Sequence, residues 1–181
     1  MSRLRREINA QDWTKGRPDA PLTILEYADF ECPFCAEAFD ELKTVERVAG
    51  DQVRLVFRPF PLTQMHPHAQ VAAEAAEAAG AQGRFWEMHD LLFVNQQDLD
   101  PPSLVGYASE LDLDVDRFTT DLEEHRYLPR VRQAFMEGIR SGVNGTPTFF
   151  VNGERWDRPY TAEAFLAELR GSAGMMSAPA P

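Results

Sequence analysis

The residues best suited to chemistry in this chain sit together. Cys32 and Cys35, in Cys32-Pro33-Phe34-Cys35, are its only cysteines. A Cys-x-x-Cys pair can close into a small disulfide and pass that bond to another thiol pair. It can also form half of a zinc site, with His66 and His68 of His66-Pro67-His68 as further ligands. Pro33 is poor for a zinc knuckle, which takes a Gly-containing turn, so disulfide exchange is favoured and no metal is expected. A purely structural cross-link is weaker still, because so short a loop constrains the unfolded chain very little.

Position makes the two sulfurs unequal. The apolar run Leu22-Thr23-Ile24-Leu25-Glu26-Tyr27 predicts a strand over 22–28. Phe34, Ala38, Leu42, Val45 and Ala49 recur at helical spacing over 33–49, and Gly50 suits the helix end. Cys32 then falls at the helix N-cap. Pro33 takes the first helical position, where its missing N–H needs no partner. Free main-chain N–H groups and the helix dipole face the Cys32 sulfur. A thiolate is stabilised there, and cysteine pKa values in such sites fall from ~8.5 into the range ~3.5–7.5. Cys35, one turn further in, is shielded and less ionised. Cys32 is therefore the expected nucleophile, and Cys35 the thiol that resolves the mixed disulfide. Phe34 brings no positive charge between the cysteines and Glu31 sets a carboxylate beside them, so both limit the fall at Cys32.

The elements that must hold this pair follow from the rest of the pattern. Val53-Arg54-Leu55-Val56-Phe57-Arg58 is a second strand, limited by Pro59 and Pro61. Strand, helix, strand makes a βαβ unit with parallel strands and a right-handed crossover. Residues 1–21, polar and ending in Arg17-Pro18-Asp19-Ala20-Pro21, read as a lead-in. Helical patterns follow over 68–81, 85–94, 101–111, 116–124 and 130–140, with Pro, Gly and Asp at the breaks and no strand signal. Thr148-Phe149-Phe150-Val151 is strand-like, Asn152-Gly153 is a hairpin turn, and Glu154-Arg155-Trp156 is its return. Thr161 caps a last helix with Phe165, Leu166 and Leu169 on one face. Residues 172–181 are small and Pro-rich, a disordered tail. The pattern is βαβ, a helical block, then ββα. The outer parts complete one α/β sheet of four or so strands only if the helical block, 63–142, is an insertion between 1–62 and 143–171.

Composition sets further bounds. The 181 residues suffice for one domain with an insertion. A net charge of −11 argues against nucleic acid as a partner. No apolar run approaches the ~20 residues of a membrane span. The basic opening Ser2-Arg3-Leu4-Arg5-Arg6 leads into no apolar signal-peptide core, and Met1 precedes it, so a cytoplasmic location is expected, with export after loss of a leader as the alternative. In a reducing cytosol a lone Cys-x-x-Cys is catalytic or metal-binding rather than a staple.

Cys32-Pro33-Phe34-Cys35 after an apolar strand, the late Gly145-Thr146-Pro147-Thr148-Phe149-Phe150-Val151-Asn152-Gly153, and the helical block between them resemble the thioredoxin superfamily, and within it the DsbA-like bacterial oxidoreductases. The resemblance runs from about Asp12 to Arg170. It implies a thioredoxin fold (βαβ…ββα) with an inserted all-helical domain. It implies a cis Thr146–Pro147 bond, with Pro147 beside the sulfurs and the Thr146 main chain free to pair with an extended substrate. Thr146, Pro147, Pro33 and Phe34 are thus the expected substrate-binding residues. It also implies that Glu26, on the strand before Cys32, is a buried acid that exchanges a proton with Cys35. The function expected is thiol–disulfide exchange with protein thiols and disulfides, its direction open. The protein would be a monomer needing no cofactor and recycled by a separate redox partner. The expected reduction potential lies between the ~−270 mV of thioredoxin and the ~−120 mV of DsbA. The alternatives are a zinc- or peptide-binding chaperone-like module and a glutathione-dependent transferase or isomerase on the same fold. His66, His68 and His89 are expected in capping or packing roles, and most of Phe30, Phe57 and Phe60 in the core.

Overall fold

Strand β2 (Leu22–Ala28) is buried on both faces, which is why it reads as an almost unbroken apolar run. The computed structural model, which describes residues 3–176, places it at the centre of a five-stranded sheet of order β1-β3-β2-β4-β5. Its neighbours are β3 (Val53–Pro59), parallel to it, and β4 (Thr148–Val151), antiparallel. Strand β5 (Glu154–Arg155) returns from the turn at Asn152-Gly153. The period of two along β2 assigns its faces. Leu22 and Ile24 pack with helix α1 (Pro33–Ala49) and helix α7 (Ala162–Met176). Leu25 and Tyr27 face the other way, toward Phe60, Val143 and Phe150. Glu26 follows Ile24 in this alternation and so lies under α1.

The fifth strand, β1 (Trp13–Lys15), pairs antiparallel with β3 inside the stretch expected as a lead-in. It is too short to show a period. Long-range contacts hold it: Trp13 stacks on Phe85 at 4.4 Å between ring centroids, and the Trp86 indole N–H donates to the Thr14 carbonyl at 3.1 Å. Just before it, Asp12 is tied to the buried Arg58 guanidinium by hydrogen bonds of 2.8 and 2.9 Å. Arg58 also donates to the Tyr27 hydroxyl. The early residues are therefore part of the sheet layer and no mere lead-in.

The helical block comprises α2 (Ala69–Gly80), α3 (Phe85–Val94), α4 (Pro101–Glu110), α5 (Val115–Glu123) and α6 (Leu128–Arg140). Helix α2 is its axis and packs against the other four. Its alanines at 72, 73, 75, 76, 78 and 79 are all buried and let the neighbours approach closely. Gly80 completes this face: a Cβ there would lie 2.4 Å from the Trp13 ring. Asp100 and Asp114 cap α4 and α5 through their side chains. Phe30, Phe57 and the two cysteines share one core with the alanine face of α2 and with Met88, Leu92 and Phe93 of α3, so the cysteine turn sits where block meets sheet. Helix α7 continues to Met176, past Ser172 where the sequence suggested a disordered tail; residues 177–181 of that tail lie outside the described residues. Among the described residues no helix is long and apolar enough to cross a membrane.

Candidate active site

Cys32 is the N-cap of α1, with extended backbone angles (φ −77°, ψ 122°), and Pro33 opens the helix. The Cys32 carbonyl accepts from the N–H groups of Cys35 (3.0 Å) and Ala36 (3.3 Å), which closes the first turn. Cys35 is wholly buried and Cys32 is 4% exposed, whereas Pro33 and Phe34 lie on the surface, Phe34 at 56%. The Thr146–Pro147 bond is cis. Antiparallel pairing of β2 with β4 sets Tyr27 opposite Thr148, so Pro147 arrives beside the carboxyl end of β2, where the cysteine turn begins. The Cys32 thiol donates to the Thr146 carbonyl at 3.5 Å. Cys32, Cys35, Thr146 and Pro147 are thus brought to one place, with Pro33 and Phe34 at its rim.

The sulfurs differ sharply in charge. Cys32 is lowered to about 5. A hydrogen bond from the Cys35 thiol contributes most and burial opposes it; the Thr146 side chain and the N–H groups of Cys35 and Phe34 add to the fall. The Thr146 hydroxyl is buried and has no other partner. Cys35 is pushed well above an ordinary thiol, first by burial, then by its bond to Cys32 and the charge of Glu26. Glu26 is itself 4% exposed and raised to about 8, first by burial and then by the charge on Cys32. One of its carboxyl oxygens has no hydrogen-bond partner. Helix, strand and loop therefore bring together three groups whose protonation states depend on one another.

Asp29 and Gln96 gave no signal in the sequence, and His66 was read there for another role. Asp29 follows β2, is 1% exposed, and accepts from the main-chain N–H groups of Glu31 and Leu62, each at 2.8 Å. His66, considered above as a zinc ligand, turns its Nδ1 to Asp29 at 2.8 Å, and His68 does the same to Glu31 at 3.1 Å. The Glu31 carboxylate is thus engaged by His68, which also gives it its main-chain N–H at 2.7 Å. Among the described residues no group of three or more His, Cys, Asp or Glu side chains is placed to hold a metal ion. Gln96, beyond α3, donates to the carbonyls of Phe30 (2.7 Å) and Cys32 (2.9 Å). Cys32 keeps its helical partners without Gln96, but Phe30 loses its side-chain donor. Gln96→Ala is therefore expected to cost about 1–2 kcal/mol in chemical denaturation. Phe30, Phe57 and Phe60 are core, and His89 packs among aromatic rings.

Geometry and ancestry agree. A family model described as Thioredoxin matches residues 9–170. The chain belongs to the thioredoxin family, and its fold is that of solved DsbA-like structures. BdbD from Bacillus subtilis superposes with a TM-score of 0.80 at 20% identity, over 89% of this chain and 92% of that one. A thioredoxin-like oxidoreductase from Silicibacter pomeroyi DSS-3 superposes with a TM-score of 0.78 at 26% identity, over 92% and 94%. Among curated relatives, the Na(+)/H(+) antiporter NhaA 3 of Salinispora tropica is 50% identical over 159 residues, which are 88% of this chain and 24% of that protein. The chain thus spans about a quarter of the length of the curated relatives it matches. The cytoplasmic location expected from the N-terminal residues is corrected by the structural neighbours. BdbD, DsbA and MdbA are extracytoplasmic oxidoreductases, so the first residues of this chain do not carry a cytoplasmic reading.

Proposed function

We propose that this protein exchanges disulfides with protein substrates through Cys32 and Cys35, and that it tends to donate them. The observation that carries this reading is the opposed ionisation of the two sulfurs with Glu26 beneath them. In the donating direction a substrate thiolate attacks Cys32 of the Cys32–Cys35 disulfide. Cys35 leaves and takes the proton of the Glu26 carboxyl. A second substrate thiolate attacks the substrate sulfur of the mixed disulfide, and Cys32 leaves as a stabilised thiolate. Two electrons pass from substrate to enzyme. In reverse, Cys32 thiolate attacks a substrate disulfide, Cys35 gives its proton to Glu26, and the Cys35 thiolate attacks Cys32 to expel the substrate.

Glu26 changes character during this cycle. Part of its raised pKa comes from the Cys32 thiolate, and in the mixed disulfide that charge is gone. Glu26 then ionises more readily, at the step where Cys35 must lose a proton. Pro147 has no N–H and forms a wall beside the sulfurs. An extended substrate segment pairs with the Thr146 main chain and lies over Pro33 and Phe34, whose exposed ring supplies apolar contact.

A Cys32 pKa of about 5 stabilises the reduced form, and its disulfide is correspondingly willing to leave. At pH 7, against an ordinary thiol, this is worth roughly 3 kcal/mol, or ~60 mV. Thioredoxin, with a pKa near 7, and DsbA, near 3.5, bracket this cysteine. The expected reduction potential in glutathione buffer is roughly −200 mV, with Cys32 titrating near 5 by thiolate absorbance in the same sample. A potential at either bracket, or two thiols that titrate normally, would overturn the reading.

A second observation bears on the partner. Homologous stretches occur within proteins named as Na(+)/H(+) antiporters. Cysteines of a membrane transporter are accordingly a candidate substrate class, to be sought as a mixed disulfide with Cys32 in membrane extracts.

A further inference from the structure

His66 lies outside the groups assigned above, yet it is built into the turn that carries Cys32. Asp29 is the joint. Its carboxylate accepts from Glu31 N–H, Leu62 N–H and His66 Nδ1, each at 2.8 Å, and its main-chain carbonyl accepts from Cys32 N–H at 3.1 Å. One buried residue thus fixes both the main chain at the nucleophile and the imidazole of the loop after β3. The His66 side chain is 15% exposed, against 43% for His68, whose Nδ1 and main-chain N–H are taken up by Glu31.

The charge state of His66 matters to this arrangement. Burial works against a charged imidazole, but the hydrogen bond and charge of Asp29, with the charges of Cys32 and Glu31, outweigh it and hold His66 above its ordinary value. An imidazolium here balances the Asp29 carboxylate. With His66 neutral or absent, that carboxylate would keep its two main-chain N–H donors but lose its counter-charge beside the Cys32 turn.

We propose that His66 is a positioning residue for disulfide exchange: clamped on Asp29, it supplies from the adjacent loop the positive charge that Phe34 does not supply between the cysteines, and so sets how readily Cys32 ionises. The proposal rests on the reading of Cys32 as the nucleophile. Its distinct content is that redox tuning lies in the loop after β3 as well as in the residues between the sulfurs.

The test compares three variants of the full chain, reading Cys32 ionisation by thiolate absorbance and the equilibrium with glutathione. Gln can keep a hydrogen bond to Asp29 while removing the charge. His66→Gln is therefore expected to weaken Cys32 ionisation about tenfold and to shift the glutathione equilibrium about tenfold toward the enzyme disulfide. His66→Lys retains a charge and is expected to recover most of both effects. His68→Gln, on the more exposed pair, is expected to move neither by more than about twofold. Unchanged ionisation in His66→Gln would overturn the proposal, as would His68→Gln acting as strongly. If His66→Gln does not fold, His66→Lys decides: ionisation weakened as far as in an unassisted thiol also overturns it. Failure of the underlying reading looks different, since Cys32 would then titrate as an ordinary thiol in the unaltered protein.

Discussion

Cys35→Ala is expected to give a protein that seizes substrates and cannot release them. Cys32 stays at the N-cap and still attacks a substrate disulfide, but the internal thiol that resolves the product is gone. A group held one turn away acts at a very high effective concentration, and millimolar external thiols cannot match it. Resolution is expected to slow by at least ~10³-fold, so the mixed disulfide accumulates and runs as a larger, reductant-sensitive species on a denaturing gel. Cys32→Ala is expected to trap nothing. Cys32 should also titrate higher in Cys35→Ala, because the Cys35 thiol is the largest contributor to its low pKa. Trapping through Cys35 in a Cys32→Ala protein would reverse the assigned roles.

The second large effect concerns Glu26, which joins catalysis to stability with opposite signs. A buried carboxyl with an oxygen lacking a partner costs the fold. The unfolded chain ionises it from about 4.5, while the folded protein keeps its proton up to about 8. Between these values the folded state binds more protons, so Glu26 subtracts stability as pH rises, and the loss levels off above about 8. In the reduced protein Cys32 works the other way, because its folded pKa lies below its unfolded one, and it adds stability over the window from about 5 to 9. The oxidised protein isolates Glu26. There the Cys32 charge is absent and burial alone holds Glu26 up, so Glu26→Leu is expected to raise stability by roughly 2–3 kcal/mol at pH 7 and to flatten the fall of the denaturation midpoint above about pH 5. The same change should slow exchange at neutral pH by about 100-fold. Glu26→Gln, nearly isosteric, should show the kinetic loss with no carboxyl to titrate. Exchange rates unchanged in both variants would remove Glu26 from the proton path.

The sequence carried the βαβ frame because its boundaries are chemical. Cys32-Pro33 can only open a helix, Gly50 ends it, and β2 and β3 are apolar runs closed by polar or proline residues. The helical block was legible from its helical patterns and from the Pro, Gly and Asp residues at the breaks. Strand β1 was not, since three residues have no period and theirs is held by Phe85 and Trp86 on a distant helix. The same limit hid much of the site. Cys32 and Cys35 announce themselves by type and spacing. Asp29, His66 and Gln96 matter through contacts spanning thirty or more positions, and nothing beside them in the chain marks them as partners. The partner of Glu31 was hidden for a related reason: its carboxylate is engaged by His68, thirty-seven positions on.

Gln96 reaches from outside the sheet layer to carbonyls on either side of Glu31, one of them the carbonyl of Cys32 itself. The nucleophile's perch is therefore shared property. A shift of the residues after α3 would be felt first at the main chain on both sides of Glu31.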